Sequence, residues 1–487
     1  MVFNSIQFVI FFVLFFLLYW IIFGKRQKWQ NVVLLVANYV FYGIAEWRMI
    51  PLLLFMTLAF YWLGIAIRSA KKEENSRRLT LVGIVLGVGT LLYFKYFNFF
   101  IESFSSLFNA IGLHTNWHTF NILMPLGVSY FTFKLISYVI EVRDENVEVC
   151  RDIVSFANYV AFFPTIMSGP IDRPTFISQL QKKREFNYDQ AVDGMRQILW
   201  GLFKKVVVAD NCATYVNSVW SNIDGSTGST LLLAAVLFTF QIYADFSGYS
   251  DMAIGIGKVM GFNVTKNFNF PFFSLNIADF WRRWHMSLTT WLTDYVFTPL
   301  NFMFRSKGRF GIILAILINM VLVGLWHGAN WTYVCFGLYH GLLFIPLIYS
   351  GAFQKKQEIR VNRIGLPRLG DALKMLLTFG LVVIGSIITR SESIGQAWEY
   401  VCGMMQFGTI RALYRFFILD KIRKPVIAIL IMMIVEWFGR KGDYTLAGIE
   451  NVAVLRNKWC RIVLYAVFIV MIFSFRGGLH EFIYFHF

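Results

Sequence analysis

The stretch from Phe310 to Trp326 contains no charged side chain, and apolar runs of this kind recur along the chain. They fall near 6–23, 31–45, 50–67, 79–96, 121–140, 153–169, 229–246, 310–326, 331–350, 372–389, 425–438 and 460–475. A helix needs about 20 apolar residues to cross the hydrocarbon of a bilayer. In that medium each backbone polar group must be satisfied inside the protein, so runs of this length span as helices. Only 15% of the residues are charged and 57% are hydrophobic, where soluble domains carry roughly 25% charged residues. Several runs are short or contain Gly and Pro. The expectation is an all-α, polytopic integral membrane protein with about eleven transmembrane helices plus re-entrant segments. No linker or polar block is large enough for a second domain, so residues 1–487 are expected to form one integral membrane domain.

A net charge of +17, from 45 Lys and Arg against 28 Asp and Glu, raises the question of nucleic acid. In membrane proteins, however, Lys and Arg collect in cytoplasmic loops. Lys25, Arg26 and Lys28 follow the first run, and Arg68, Lys71, Lys72, Arg77 and Arg78 follow the third. The second connection has only Arg48, and 102–120 has neither Lys nor Arg. Alternation puts the N-terminus outside and the 24–29 and 68–78 loops in the cytoplasm. The basic charge therefore reads as topology, and no nucleic-acid partner is expected; the bilayer is the partner.

The charge rule conflicts with one run. A full span over 153–169 would place Arg173, Lys182, Lys183 and Arg184 outside. The sequence Phe162-Phe163-Pro164-Thr165-Ile166-Met167-Ser168-Gly169-Pro170 is poor material for a continuous helix. Broken backbone is tolerated at membrane depth where protein buries it or a cavity hydrates it. A re-entrant segment lining such a cavity is expected, with 173–184 cytoplasmic.

The first run lacks a basic n-region and a small-residue cleavage site, so it reads as a retained first helix. Cys150, Cys212, Cys335, Cys402 and Cys460 are scattered, with no CxxC and no metal spacing. No metal site, disulfide framework, Walker A, complete GxGxxG or Gly-x-Ser-x-Gly elbow is present.

Two Trp-flanked histidines remain: Trp281-Arg282-Arg283-Trp284-His285-Met286-Ser287-Leu288 and Gly324-Leu325-Trp326-His327-Gly328-Ala329-Asn330-Trp331. An ionisable residue at membrane depth is a functional-site hypothesis by default, and imidazole suits proton transfer near neutral pH. His327 ends the charge-free run, beside small residues that permit close approach and the Asn330 amide. Over 280–295 the apolar positions Trp281, Trp284, Leu288, Trp291, Leu292 and Tyr295 recur at helical spacing. His285 then lies on the packed stripe, with Arg282 and Arg283 facing headgroups or an anionic substrate. Taken alone, 280–295 reads as an amphipathic interfacial helix with a satisfied histidine. His340 reads as a core hydrogen-bonding residue, and His114, His118, His480 and His486 as surface or interfacial. In Gln241-Ile242-Tyr243-Ala244-Asp245-Phe246-Ser247-Gly248-Tyr249-Ser250-Asp251, Asp245 or Asp251 can orient an imidazole, but capping or turn roles suit them equally.

These residues resemble the membrane-bound O-acyltransferase (MBOAT) family, in its bacterial alginate O-acetyltransferase-like branch. The resemblance is carried by Phe163-Pro164, Gly169-Pro170-Ile171-Asp172-Arg173, Asp245 to Gly255, Asp279 to Leu288, Gly324 to Trp331 and the aromatic ending Phe482 to Phe487. It implies a bundle of helices around a central funnel and a tunnel to the cytoplasm. His327 matches the family's principal catalytic histidine and His285 its second polar position. Trp326, Asn330, Arg282, Arg283 and Asp245 are candidate substrate-binding residues. No permanently bound cofactor is implied; the donor is acetyl-CoA or another acyl thioester, presented as acyl-CoA or on an acyl carrier protein. The acceptor is a glycan, and final transfer is usually completed by a separate SGNH-type extracytoplasmic acyltransferase. A multi-pass protein of the inner or plasma membrane is expected. Two other readings stand beside it: D-alanyl transfer to teichoic acid, and a transporter or conduit for an acyl donor with His327 as relay or gate. Transporters of this size often show paired repeats, and none is visible.

Overall fold

The computed structural model describes residues 1–113, 117, 119–363, 365–406, 422–475 and 482–483. Among these, regular structure is helical apart from one isolated bridge between Val361 and Pro367. Among the described residues, six stretches are long and apolar enough to cross a membrane: Gln27–Ser69, Glu73–Ala110, Gly228–Val259, Arg305–His327, Trp331–Tyr349 and Leu369–Arg390. Gln27–Ser69 itself contains two helices, Gln27–Glu46 and Ile50–Ser69. Other runs expected as spans yield shorter helices, Val128–Arg143, Arg423–Gly439 and Lys458–Ser474, at or just under the usual lower limit of about 17 residues. Their ends are set by Gly, Pro and charged residues that interrupt the apolar pattern.

The chain forms two compact units, one of Met1–Met195 with Ala253–Thr265, the other of Arg196–Met252 with Lys266–Phe487. In the first, the Val128–Arg143 helix packs against Ile50–Ser69 and Glu73–Leu91. The expected break after residue 161 is present. The Ile153–Ala161 helix has 9 residues, a rise of about 13.5 Å against a hydrocarbon core of about 30 Å. Phe162 leaves the helical region at φ −51°, ψ 106°, two residues before Pro164.

The expected water-filled lining is corrected, because 155–172 is buried throughout and protein satisfies the freed backbone. Asn38 Oδ1 accepts from Phe163 N–H at 2.8 Å. The wholly buried Lys134 ammonium donates to Tyr159 O at 3.3 Å and Thr165 Oγ1 at 2.9 Å, and faces Asp172 at 3.9 Å. Asp172 also accepts from the N–H and Oγ1 of Thr265. A charged pair costs desolvation energy when buried, and only full hydrogen bonding of both partners offsets it.

The second unit contains an antiparallel hairpin of Gly308–His327 and Trp331–Leu343. Two glycines bring its helices into backbone contact. A Cβ at Gly324 would lie 2.0 Å from Tyr333 O, and one at Gly337 would lie 2.3 Å from Met320 O. Small residues at such crossings allow the van der Waals packing that holds helices together in lipid. The hairpin fixes His327 at its turn.

Topology has a direct check. In a protein with the five native cysteines replaced, Asn116→Cys and Ser76→Cys should label with impermeant maleimide from opposite faces. Gln181→Cys should label from the same face as Ser76→Cys. Labelling of Gln181→Cys from the face of Asn116→Cys would refute the cytoplasmic placement of 173–184.

Candidate active site

The expected continuous helix over 280–295 is interrupted. Ile277–Trp281 and Met286–Leu292 are separate helices, and His285 between them adopts φ 46°, ψ 50°. A non-glycine residue in this left-handed region costs about 1–3 kcal/mol unless its surroundings hold it there. Asn267 supplies the hold. Its carbonyl oxygen accepts from Met286 N–H at 2.8 Å. Its side-chain Oδ1 accepts from Ser287 N–H at 3.3 Å and Ser287 Oγ at 2.8 Å, and lies 3.0 Å from His285 Nδ1. Its Nδ2 donates to Ser250 Oγ at 3.1 Å. The kink turns the imidazole inward to 0% exposure. Trp281, Trp284, Leu288, Trp291 and Leu292 of the expected stripe are buried and Tyr295 is half-buried, but the helix that would carry them is broken.

His327, 7% exposed, closes the Gly308–His327 helix. The centroids of the His285 and His327 rings are 6.3 Å apart. Trp326 presents its indole to both, at 5.2 Å from His285 and 5.1 Å from His327. The small Gly328 admits the Tyr333 ring, which would lie 2.1 Å from a Cβ there. A cavity of about 50 Å³ is lined by His327, Trp281, Trp284, Phe336, His340 and Ser386 among others. A second, of about 330 Å³, is lined by Arg282, Thr289, Thr290, Thr293, Asn319 and Phe353 among others. Asn319 precedes His327 by eight residues on one helix, a rise of about 12 Å. Imidazole in its neutral form keeps one bare ring nitrogen, the group that could accept a proton at this site.

The remaining candidates are held by protein groups. Arg282 donates to the carbonyls of Phe353 and Lys355, tying down that loop. Arg283 pairs with Asp279 at 2.9 Å. Asn330 caps the following helix, accepting from Thr332 N–H at 2.9 Å, and donates to Glu392 O. Asp245 accepts from Lys205 at 2.8 Å and from Ile483 N–H at 2.8 Å. Asp251 accepts from Lys204 and Gln197. The group facing the His285 imidazole is thus an amide, Asn267, which the sequence did not single out. His340 accepts from Trp281 Nε1–H at 3.3 Å, the core hydrogen bond expected of it. His114, His118, His480 and His486 lie outside the described residues. A buried ionic cluster was also missed: Lys205 meets Asp210 at 2.9 Å as well as Asp245. Its signal was the Lys204-Lys205 pair inside the apolar stretch 198–209.

The sequence profile of the membrane-bound O-acyltransferase family matches residues 39–386. A probable alginate O-acetylase of Pseudomonas aeruginosa is 38% identical over 413 residues, covering 84% of this chain and 76% of the relative. A peptidoglycan O-acetyltransferase of Helicobacter pylori is 29% identical over 412 residues, 79% of this chain and 75% of that protein. A teichoic acid D-alanyltransferase of Bacillus subtilis is 32% identical over 279 residues, 55% of this chain and 69% of that protein.

Proposed function

The chain belongs to the membrane-bound O-acyltransferase family, and on that premise we propose that it passes an acetyl group across the membrane for O-acetylation of an exported polysaccharide or cell-wall glycan. It is an O-acyltransferase with several membrane passes. The observation that carries the reading is the meeting of two buried imidazoles, His285 and His327, beside a cavity lined by His327. In this reading the donor is a cytoplasmic thioester, acetyl-CoA or an acyl carrier protein. His327 takes the proton of the acceptor hydroxyl as its oxygen attacks the thioester carbonyl. The C–O bond forms, the C–S bond breaks, and the thiolate leaves and is reprotonated. Exclusion of bulk water limits hydrolysis of the thioester.

The cavity of about 330 Å³ supports a donor entrance, being within the roughly 300–1,000 Å³ of ligand sites. It reaches Asn319, towards the helix end flanked by Arg305, Lys307 and Arg309, which the positive-inside rule assigns to the cytoplasm. The protein then resides in the inner or plasma membrane and hands its acyl group to an SGNH-type extracytoplasmic partner. The longer and more identical match to an alginate O-acetylase favours acetyl over D-alanyl transfer. Alkaline release of acetate from purified glycan, compared between cells with and without the gene, tests the function. Unchanged acetate sinks it, and release of D-alanine in its place identifies the other acyl group.

His285 assists by hydrogen bonding. His285→Ala should lower acetylation, and His285→Asn should retain more of it. Full activity in both variants, at matched membrane levels, would reduce His285 to packing.

A further inference from the structure

A neutral imidazole has one N–H and one bare nitrogen, and which is which is set by the partner of either ring nitrogen. At His285 the surroundings make that choice. Ser287 N–H is a backbone group that can only donate, and it points at Asn267 Oδ1 at 3.3 Å. A flipped amide would put an NH2 donor against that N–H, so the side-chain oxygen Oδ1 of Asn267 is the atom facing His285. Oδ1 can only accept, which requires His285 Nδ1, 3.0 Å away, to carry the proton. Nε2 is then the bare nitrogen, and it is buried with no hydrogen-bond partner among the described residues. An orphaned buried acceptor costs free energy and calls for an explanation.

We propose that Asn267 is a positioning residue for acyl transfer: it fixes His285 as the Nδ1–H tautomer within its left-handed turn and leaves Nε2 as an acceptor for a substrate O–H or N–H. The proposal rests on the acyltransferase reading of this site and refines it. With Nε2 bare, neutral His285 has no N–H free to polarise the thioester carbonyl. Its contribution is to accept a hydrogen bond, beside the ring of His327. The same side-chain amide holds Ser287, and the main-chain carbonyl of Asn267 holds Met286, so one residue supports both the left-handed turn at His285 and its tautomer.

The test is ¹⁵N magnetic resonance of full-length, ¹⁵N-histidine-labelled protein in lipid nanodiscs, with the His285 signals assigned by their loss in His285→Gln. The expected spectrum has a protonated Nδ1 and a bare Nε2. Asn267→Leu should mix or reverse the tautomers and lower glycan acetylation by about tenfold, the rate change that corresponds to the loss of one hydrogen bond. Asn267→Asp keeps an acceptor facing Nδ1, and Ser250 Oγ can turn to donate to it. That variant should hold the Nδ1–H form and recover activity relative to Asn267→Leu. A protonated Nε2 in the wild-type protein overturns the proposal, as does an unchanged tautomer in Asn267→Leu. If Asn267→Leu does not fold, the wild-type spectrum and Asn267→Asp decide. Failure of the acyltransferase reading registers separately, as glycan-bound acetate that does not depend on this chain, and leaves the tautomer result intact.

Discussion

Replacing His327 with alanine is expected to abolish glycan acetylation while the protein still accumulates in the membrane. The ring lies at the end of its helix, 7% exposed and lining a cavity. Its removal therefore enlarges a space that already exists. The hairpin that carries it is held by the backbone contacts at Gly324 and Gly337, which do not involve the imidazole. Loss of a positioned base typically lowers the rate by about 10²–10⁴, which takes glycan-bound acetate to background. The measurement is acetate released from glycan, normalised to His327→Ala protein detected in membranes. Wild-type acetate at equal protein would remove His327 from the chemistry and leave it a packing residue.

Lys205→Met should strongly destabilise the second unit. Lys205 is 1% exposed and reaches two carboxylates, Asp210 at 2.9 Å and Asp245 at 2.8 Å. Methionine preserves much of the volume but removes the positive charge between them. Breaking a buried ion pair by deleting one partner costs about 3–5 kcal/mol, because the other charge stays behind unneutralised. The expected result is poor membrane accumulation and a clearly lowered aggregation temperature in detergent. Adding Asp210→Asn and Asp245→Asn removes the stranded charge and should recover part of the loss. If Lys205→Met behaves like the wild-type protein, the cluster is not holding this unit together.

The membrane character of the chain was legible because it rests on composition and run length. Each apolar run must be long enough to cross, and each helix satisfies its own backbone, so 310–326 and 372–389 appear as the spanning helices expected of them. The break after residue 161 was legible for a related reason, since Pro164 and Pro170 exclude a continuous helix locally. What seals that break was not. Lys134, Asn38 and Thr265 come from three distant parts of the sequence, and a lysine inside an apolar run gives no sign of which carbonyl or carboxylate it will meet.

The two histidines stood out in the sequence because ionisable groups are costly in apolar surroundings and are kept there for a use. Their proximity was decided only by the fold. Apolar spacing over 280–295 fits one helix, and periodicity cannot register a hydrogen bond that takes Met286 N–H to Asn267 instead. That bond, with Asn267 Oδ1 beneath Ser287 and His285, makes the left-handed turn that brings the two rings to 6.3 Å. Hydrophobic pattern is written residue by residue along the chain and can be read there. A polar contact between residues that are separated in sequence acquires its energy only when folding brings the donor and acceptor together and excludes water, so the tertiary structure alone determined it.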